Sequence, residues 1–266
     1  MDREKLKSLT ENSVIDKLYV EEEVTSTNDV AKSMSREGFK GRALIVSELQ
    51  TKGRGRLGRN WSSPAGTGIW MSLLDTDTEN LVNIPGITLL AGLAVAEALN
   101  SLSGEECARI KWPNDVVING KKVCGILTEL ISSGTESTVI IGIGINASMD
   151  EFPEELKDKA TSVFLEIGQK PEREKILTGV VTKLTEYISA YKITGSLGFA
   201  MDRYHSLMVN KGKEVILSSA NGDFYDNPYI ATGIDEEGNL LVEDKSGTVH
   251  TVQSGEISVR GVLGYV

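Results

Sequence analysis

The chain has 266 residues, 40% hydrophobic and 25% charged, which is typical of a soluble globular protein with room for a large domain and a small one. Its net charge of −10 excludes a protein that binds nucleic acid or an anionic membrane over its whole surface, so any cationic site must be local. We expect a cytoplasmic protein, since no apolar run reaches the ~18 residues of a membrane span and residues 1–17 lack a signal-peptide centre.

Apolar periodicity predicts the elements of the first two thirds of the chain. We expect strands over 18–24, Ala43–Glu48, Ile69–Leu74 and Ser137–Ile145, helices over 28–37, Gly86–Leu102 and Glu172–Tyr191, a loop over 51–66, and a connection with helical pieces over 150–168. Arg109–Leu130 is predicted to be a hairpin folded at Asn119–Gly120, the strongest short turn signal.

After Asn210 the pattern changes to short strand-like runs separated by Gly, Asn and Asp turns. This pattern indicates an all-β module, which we expect to be a small barrel. The predicted division is therefore a catalytic domain over 1–210 and a C-terminal domain over 211–266.

The chain contains only two cysteines and two histidines. Cys107 and Cys124 are too few for a disulfide scaffold and lack metal-ligand spacing. His205 and His250 lie far apart in the sequence, which argues against a histidine-based hydrolase or a multi-histidine zinc site. Chemistry must therefore depend on lysine, arginine, carboxylates and backbone amides.

A basic segment within this acidic chain, GRGRLGR at 53–59, carries the densest functional signal. Its glycines allow close approach to a ligand, and its arginines offer forked donors to phosphate or carboxylate. The alternative is a solvated basic loop. The segment also satisfies G-x-G-x-x-G, but a dinucleotide site needs a helix to begin there. Since NWSSPAG follows, we reject the nicotinamide interpretation.

A second signal is KWPND at 111–115, which continues to GKKVCGIL at 120–127. A two-residue turn would place Asp115 and Lys122 on one face as diagonal neighbours, where they could hold a metal-bound phosphate from two sides. An exposed cross-strand ion pair, worth at most ~1 kcal/mol, is an equal alternative. Lys111 can join this face only if Pro113 leaves the register intact.

Two weaker signals follow. GIGIN at 142–146 ends a buried strand, where glycines mark close packing by default or a nearby ligand, and Asn146 is the better candidate for a contact. SGEISVR at 254–260 contains Arg260, which would ordinarily be a surface residue.

Taken together, these segments resemble the biotin protein ligase family. The matching segments are Ser26–Asn28, Gln50 with GRGRLGRNW, SPAGTGIWMS, KWPND with GKKVCGIL, GIGIN and SGEISVR. They occur in family order from about residue 19 to 260, and GRGRLGR with KWPND is the most specific pair.

The resemblance implies an α/β fold, strictly α+β, in which helices flank a mixed sheet like that of class II aminoacyl-tRNA synthetases and an SH3-like barrel follows. It implies an enzyme that uses ATP, biotin and Mg²⁺ to form biotinyl-adenylate. The acceptor would be a lysine of a biotin carboxyl carrier domain. The family also implies a homodimer, with no membrane partner.

The resemblance also assigns residues. Expected biotin contacts are Ser26, Thr27, Asn28, Gln50, Arg54, Gly55, Arg56, Lys122 and Gly125. Expected nucleotide contacts are Arg56, Arg59, Trp61, Lys111, Asn114, Lys122, Asn146 and Arg260. Lys122, Arg56 and Asp115 would be catalytic, Asp115 acting on Mg²⁺ or on the incoming lysine. Structural alternatives are helix capping for Ser26 and Thr27, and core positions for Trp112 and Cys124.

Some family members carry an N-terminal helix-turn-helix domain and repress transcription. Here the first motif begins at Ser26, which leaves too few residues for such a domain, so we expect no DNA role. Two rival interpretations are a lipoate or octanoyl ligase of the same fold and a non-catalytic biotin sensor. Ser26–Asn28 and GRGRLGR favour biotin, while Lys122, Arg56 and Asp115 favour catalysis.

Overall fold

A computed structural model describes residues 1–12, 14–78, 83–133, 136–219, 228–254 and 257–261. Their strands are β1 (Lys17–Val24), β2 (Arg42–Gln50), β3 (Gly68–Asp75), β4 (Ala108–Lys111), β5 (Asp115–Ile118), β6 (Lys121–Ser133), β7 (Glu136–Asn146), β8 (Glu214–Ser219), β9 (Tyr229–Ile234), β10 (Leu240–Glu243), β11 (Val249–Val252) and β12 (Ile257–Gly261). Their α-helices are α1 (Ser8–Glu11), α2 (Thr27–Arg36), α3 (Ile84–Ser103), α4 (Val163–Ile167), α5 (Arg173–Thr194) and α6 (Met201–Leu207).

The described strands form two sheets. A seven-stranded sheet has the order β1-β2-β3-β7-β6-β5-β4, and a five-stranded antiparallel sheet has the order β11-β10-β9-β8-β12. The large sheet is mixed because β1 runs parallel to β2 while its other pairs are antiparallel. The predicted α/β class, a mixed sheet with flanking helices and an antiparallel C-terminal module, is confirmed.

Helices cover both faces of the large sheet. On one face α3 packs against α5 and the strands, and α3 is apolar on nearly every side because it is buried on nearly every side. On the other face α2 buries Ala31 against Ile45, Leu74 and Ile140. Polar side chains at the N-terminus of α2 contact Gln50 at the end of β2 and Ser72 within β3.

The structure bears out the predicted elements except at three places. Arg109–Leu130 contains three strands, because β4 and β5 are separated by a turn at 112–114 around Pro113. The short helices α1 and α6 have no counterpart in the predictions. Their sequences give too few turns for an apolar period to be recognised, since α1 buries only Leu9 and α6 only Tyr204 and Leu207.

The hairpin between β5 and β6 folds at the predicted turn. Asn119 and Gly120 both have positive φ, 50° and 77°, as a type I′ turn requires. Val117 pairs with Lys122 as expected, but the register then shifts so that Asp115 pairs with Gly125. This β-bulge changes the direction of the strand. The Lys122 Nζ and Asp115 Oδ1 atoms lie 2.5 Å apart.

The C-terminal sheet is joined to the catalytic part by several hydrogen bonds. Trp112, a core residue as predicted, donates from Nε1 to the Gly238 carbonyl at 3.1 Å. The Ile234 amide donates to His205 Nε2 at 3.0 Å. The Trp112 amide also donates to Asn210 Oδ1 at 3.1 Å, just before the C-terminal sheet. The division at 210/211 and the closure of this sheet into an SH3-like barrel remain predictions.

One described helix, α3, is long and apolar enough to cross a membrane by length and composition alone. Most of it is buried inside the protein, as is common for the core helix of a soluble domain.

The His205 contact predicts that the stability of the fold depends on pH. Burial and the nearby charge of Lys211 lower the pKa of His205, outweighing Asp202. Because the pKa is lower in the folded state, neutral His205 contributes its full stabilisation above the unfolded pKa of ~6.5. That contribution is lost as the pH falls through the folded pKa. The free energy of unfolding in urea should therefore decrease more between about pH 7.5 and pH 5.5 for the unchanged chain than for His205→Gln. Equal losses in the two proteins would show that His205 is not coupled to folding.

Candidate active site

The basic segment forms a narrow loop that folds back on itself. The Trp61 amide donates to the Gly53 carbonyl at 2.9 Å, and the Gly55 amide donates to the Arg59 carbonyl at 2.7 Å. A Cβ at Gly53 would overlap the Trp61 carbonyl, so this position requires glycine. The tip contains a single 3₁₀ turn with Leu57 at φ 54°, and no α-helix begins there. This agrees with the rejection of a dinucleotide-binding site.

Arg56, at the tip of this loop, connects three parts of the chain. Its guanidinium donates to Asn114 Oδ1 at 3.0 Å and to the Ser254 carbonyl of the C-terminal module. Burial lowers the pKa of Arg56, opposed by the Asp115 carboxylate, but an arginine stays charged at any physiological pH. The loop therefore places a fixed positive charge beside the KWPND segment.

Lys111, Lys122 and Asp115 lie together on the neighbouring strands. Lys111, only 5% exposed, pairs with Asp115 across β4 and β5. Burial lowers the pKa of Lys111 to about 8, Asp115 opposes this, and the positive charges of Lys122, Arg260 and Arg59 lower it further. These groups are therefore close enough to interact, and the structure gathers the predicted cations around one carboxylate.

Trp61 lies flat on the sheet beside this cluster. Lys122 Nζ is 5.0 Å from its ring centroid, a cation–π distance. A Cβ at Gly125 would come within 2.9 Å of the indole ring, and one at Gly144 within 2.6 Å of Nε1. β6 and β7 therefore need glycine at these two positions to make room for the indole ring of Trp61. Trp61 Nε1 is buried without a hydrogen-bond partner in the described part of the chain.

A second group, of uncharged polar side chains, lies at the N-terminus of α2. The Thr27 amide donates to Gln50 Oε1 at 2.9 Å, and Gln50 Nε2 donates to Ser63 Oγ at 2.8 Å. Ser26 is buried at the N-cap position, but its side chain makes no capping hydrogen bond. The capping alternative therefore does not account for the Ser26 hydroxyl.

Several predicted residues lie outside these two groups. Arg54 is 41% exposed and pairs with Asp29 on α2 instead of joining the cations. Asn146 is buried and donates to the Thr161 carbonyl at 3.0 Å. Arg260 is exposed on β12, although its charge acts on Lys111.

Sequence reasoning missed Ser63, Ser72 and Glu129, which hydrogen-bond to Gln50, Thr27 or Asn28. Ser63 and Ser72 are the first and last residues of the quoted SPAGTGIWMS motif, and one residue separates Glu129 from the end of GKKVCGIL. Cys124 is a buried apolar residue as predicted, and burial raises the pKa of its thiol well above the usual range.

The donor set fits Mg²⁺ only when the ion arrives with phosphate. The described residues contain no group of three His, Cys, Asp or Glu side chains that could hold a metal. Asn114 is already used, because Oδ1 accepts from Arg56 and Nδ2 donates to the Ile126 carbonyl. Asp115 remains, and one carboxylate with substrate phosphates is a common magnesium arrangement.

Comparisons with known proteins identify the family of the chain. Residues 20–146 match the biotin/lipoate A/B protein ligase family, and residues 225–260 match the biotin protein ligase C terminal domain. The bifunctional ligase/repressor BirA of Bacillus spizizenii is 36% identical over 91% of this chain and 74% of its own length. The biotin–[acetyl-CoA-carboxylase] ligase of Mycobacterium tuberculosis is 31% identical over 88% of this chain and 84% of its own.

A solved structure shows the same fold. Biotin protein ligase from Aquifex aeolicus, in complex with biotin and ATP, superposes with a TM-score of 0.79. It is 32% identical, and the match covers 92% of this chain and 99% of that protein. The chain therefore belongs to the biotin protein ligase family and is a ligase enzyme.

Proposed function

We propose that this enzyme joins biotin to ATP to form biotinyl-5′-AMP and then transfers biotin to a lysine of a biotin carboxyl carrier domain. The observation that carries the proposal is the placement of Arg56, Lys111 and Lys122 around Asp115, together with the cluster of uncharged polar side chains at the N-terminus of α2. One end of such a site suits anions, and the other suits the neutral ureido ring of biotin.

Biotin binding needs donors and acceptors that are fixed before the ligand arrives. Ser26, Thr27 and Gln50 supply these at the buried end, where Gln50 is held from both sides by Thr27 and Ser63. The loop around Arg54 and Gly55 would cover this end of the bound biotin. Gly125 would leave room for the ligand because it has no side chain, and Asn28 would lie behind Thr27. The valeryl chain would then point its carboxylate toward Lys122.

In the first step a carboxylate oxygen of biotin bonds to the α-phosphorus of ATP, the bond from that phosphorus to the bridging oxygen breaks, and pyrophosphate leaves. Two anions must be held together, so positioning and charge stabilisation supply most of the catalysis. Lys122 and Arg56 would neutralise the carboxylate and the α-phosphate. The remaining nucleotide contacts would be Lys111, Arg59, Asn114, Asn146, Arg260 and Trp61.

In the second step the acceptor lysine attacks the biotinyl carbonyl, an amide bond forms, and AMP leaves with the bonding electron pair. The acceptor ammonium must first lose a proton, and Asp115 would be the carboxylate that helps, a role supported by its position beside Lys122. Mg²⁺ bound to the phosphates would neutralise part of their charge, and Asp115 would be its protein ligand. Lys122 keeps Asp115 oriented for either role.

The names of the relatives support biotin over other acids, since those of Mycobacterium tuberculosis and Paracoccus denitrificans are called biotin–[acetyl-CoA-carboxylase] ligases. The direct test is mass spectrometry of a biotin carboxyl carrier domain incubated with the enzyme, ATP, Mg²⁺ and one acid at a time. A mass increase of one biotinyl group with biotin alone supports the proposal. Modification by lipoate or octanoate instead would assign the rival activity.

The proposal includes a homodimer, which the family resemblance implies, and a cytoplasmic location and no DNA-binding role, which are the expectations from the sequence. Sedimentation of the full chain with biotinyl-adenylate measures its oligomeric state. A gel-shift experiment with DNA from a biotin operon tests the last expectation, and a specific shifted band would contradict it.

Replacing Lys122 by alanine should reduce biotinyl-adenylate formation by orders of magnitude, because the developing charge on the α-phosphate loses its nearest cation. Lys121→Ala is the matched control, since Lys121 Nζ donates to the Lys157 carbonyl, away from Asp115. Biotin-dependent exchange of pyrophosphate into ATP measures both. Normal exchange by Lys122→Ala would remove Lys122 from the central role.

Arg56→Gly should weaken retention of the reactive intermediate, because the loop loses its contacts with Asn114 and Ser254. Biotin should then appear on bystander proteins such as serum albumin added to the reaction. Lys52→Ala, an exposed change in the same loop, is the control and should label only the carrier domain. Labelling confined to the carrier with Arg56→Gly would refute this role.

The lowered pKa of Lys111 predicts a basic limb in the pH profile. The kcat/KM for ATP reports the free enzyme and should fall as the pH rises through about 8, where Lys111 loses its proton. Lys111→Arg keeps the charge and should move this limb to higher pH. An unchanged limb in Lys111→Arg would show that another group titrates there.

A further inference from the structure

The peptide groups of Lys122 lie where neither neighbouring strand pairs with them. Ile118 and Lys121 flank the two-residue turn, so the next pair, Val117 with Lys122, is a non-hydrogen-bonded pair. The Lys122 peptide groups therefore point away from β5. On that other side the described pairing of β6 with β7 begins at Cys124, after Lys122 in the chain. Another segment must satisfy the Lys122 backbone.

Residues 159–161, in the connection between β7 and α4, supply these hydrogen bonds. The Lys122 amide donates to the Lys159 carbonyl at 2.8 Å, and the Thr161 amide donates to the Lys122 carbonyl at 2.9 Å. Together they form a parallel bridge between Lys122 and Ala160. The position of the Lys122 backbone therefore depends on where this segment lies.

Thr161 is held through all three of its polar groups. Besides its amide contact with Lys122, its carbonyl accepts from Asn146 Nδ2 at 3.0 Å, and its hydroxyl donates to Glu166 Oε1 at 2.6 Å. Thr161 is only 2% exposed, so these hydrogen bonds are shielded from water. Since Asn146 ends β7, Thr161 joins two strands that carry expected nucleotide contacts.

Glu166, on α4, ties this segment to the hairpin turn. Its second oxygen, Oε2, accepts from Asn119 Nδ2 at 2.6 Å. The turn forms by local preference and Asn119 is exposed, so this contact serves to fix the turn against α4. The helix is itself anchored at its N-cap, where the Ser162 hydroxyl donates to the Met149 carbonyl at 2.5 Å. One carboxylate thus holds the chain on both sides of Lys122.

We propose that Glu166 is a positioning residue which, through Thr161 and the Asn119 turn, holds Lys122 where its ammonium meets the reacting carboxylate and α-phosphate. This inference rests on the proposed function and adds a residue that lies outside the segments shared with the family. A displaced Lys122 backbone would move Nζ away from Asp115 and from the substrates. A misplacement of ~1 Å at a reacting centre can reduce a rate by about a hundredfold.

The test measures biotin-dependent exchange of pyrophosphate into ATP by the full chain. Glu166→Ala should lower kcat by about tenfold or more, because Lys122 is misplaced. The KM for biotin should change by less than about twofold, because the uncharged polar cluster at the N-terminus of α2 is untouched. Glu155→Ala, an exposed carboxylate of the same connection, is the control and should exchange normally. Unchanged kcat in Glu166→Ala would overturn the inference.

Calorimetric titration with biotin counts the folded sites in each preparation. The exchange rate is then expressed per biotin-binding site, so that a loss of folded protein is not read as a loss of catalysis. If the deficit of Glu166→Ala disappears on this scale, the residue has only a structural role and the inference is wrong.

Two further variants separate hydrogen bonding from charge, and they serve if Glu166→Ala fails to fold. Glu166→Gln removes the charge but can accept from Thr161 and, once the Asn119 amide turns over, donate to its oxygen. It should keep kcat within about threefold of the unchanged chain. Thr161→Val removes one contact at nearly constant volume and should lower kcat about tenfold. Glu166→Gln with the deficit expected of Glu166→Ala, or Thr161→Val with normal kcat, would refute the positioning role.

A double-mutant cycle shows whether Glu166 acts through Lys122. In a Lys122→Ala background, the slow formation of labelled biotinyl-adenylate should fall by less than about twofold when Glu166→Ala is added. A full tenfold further loss in that background would contradict the inference, because Glu166 would then act on another part of the site.

The outcome is distinguishable from failure of the proposed function. An unchanged chain without biotin-dependent exchange would refute the proposed function, and this inference with it. Normal exchange by both the unchanged chain and Glu166→Ala would overturn this inference alone.

Discussion

The contact between the Asp115 carboxylate and the Lys122 ammonium, 2.5 Å apart across a bulged hairpin, organises the site. Without a negative charge at this point, Lys111, Lys122 and Arg56 would repel one another in a partly buried setting. Asp115 permits the three cations to be held close together before any substrate arrives. Under the proposed function, the charges would already be in position for anionic substrates, which is the arrangement that electrostatic catalysis favours.

Two other features of the molecule follow from this concentration of positive charge. The acidic remainder of the chain leaves this cluster as a local target for anions, despite the net charge of −10. The C-terminal module is part of the site, since Arg56 donates to Ser254 and the charge of Arg260 acts on Lys111. Trp112 and His205 hold that module in place from the catalytic side.

Most of the architecture could be predicted from the sequence, because long periodic segments and the Asn119–Gly120 turn are local signals. The grouping of Lys111 with Lys122 could not, since it depends on the turn around Pro113 and on a bulge that pairs Asp115 with Gly125. Arg54 is a residue for which the sequence predicted a role but not its contact in the structure. Its motif predicts a substrate contact, which stays a prediction, but the ion pair with Asp29 depends on the three-dimensional position of α2 and could not be read from the motif.

The central claim is that Lys122 and Arg56 hold the carboxylate of biotin against the α-phosphate. A crystal structure of the chain with a non-hydrolysable sulfamoyl analogue of biotinyl-adenylate tests it most directly. We expect Lys122 Nζ and the Arg56 guanidinium to lie within about 3.5 Å of the oxygens that flank the acyl–sulfamoyl junction. An analogue bound with that junction facing other residues, and with both cations directed to solvent, would contradict the account.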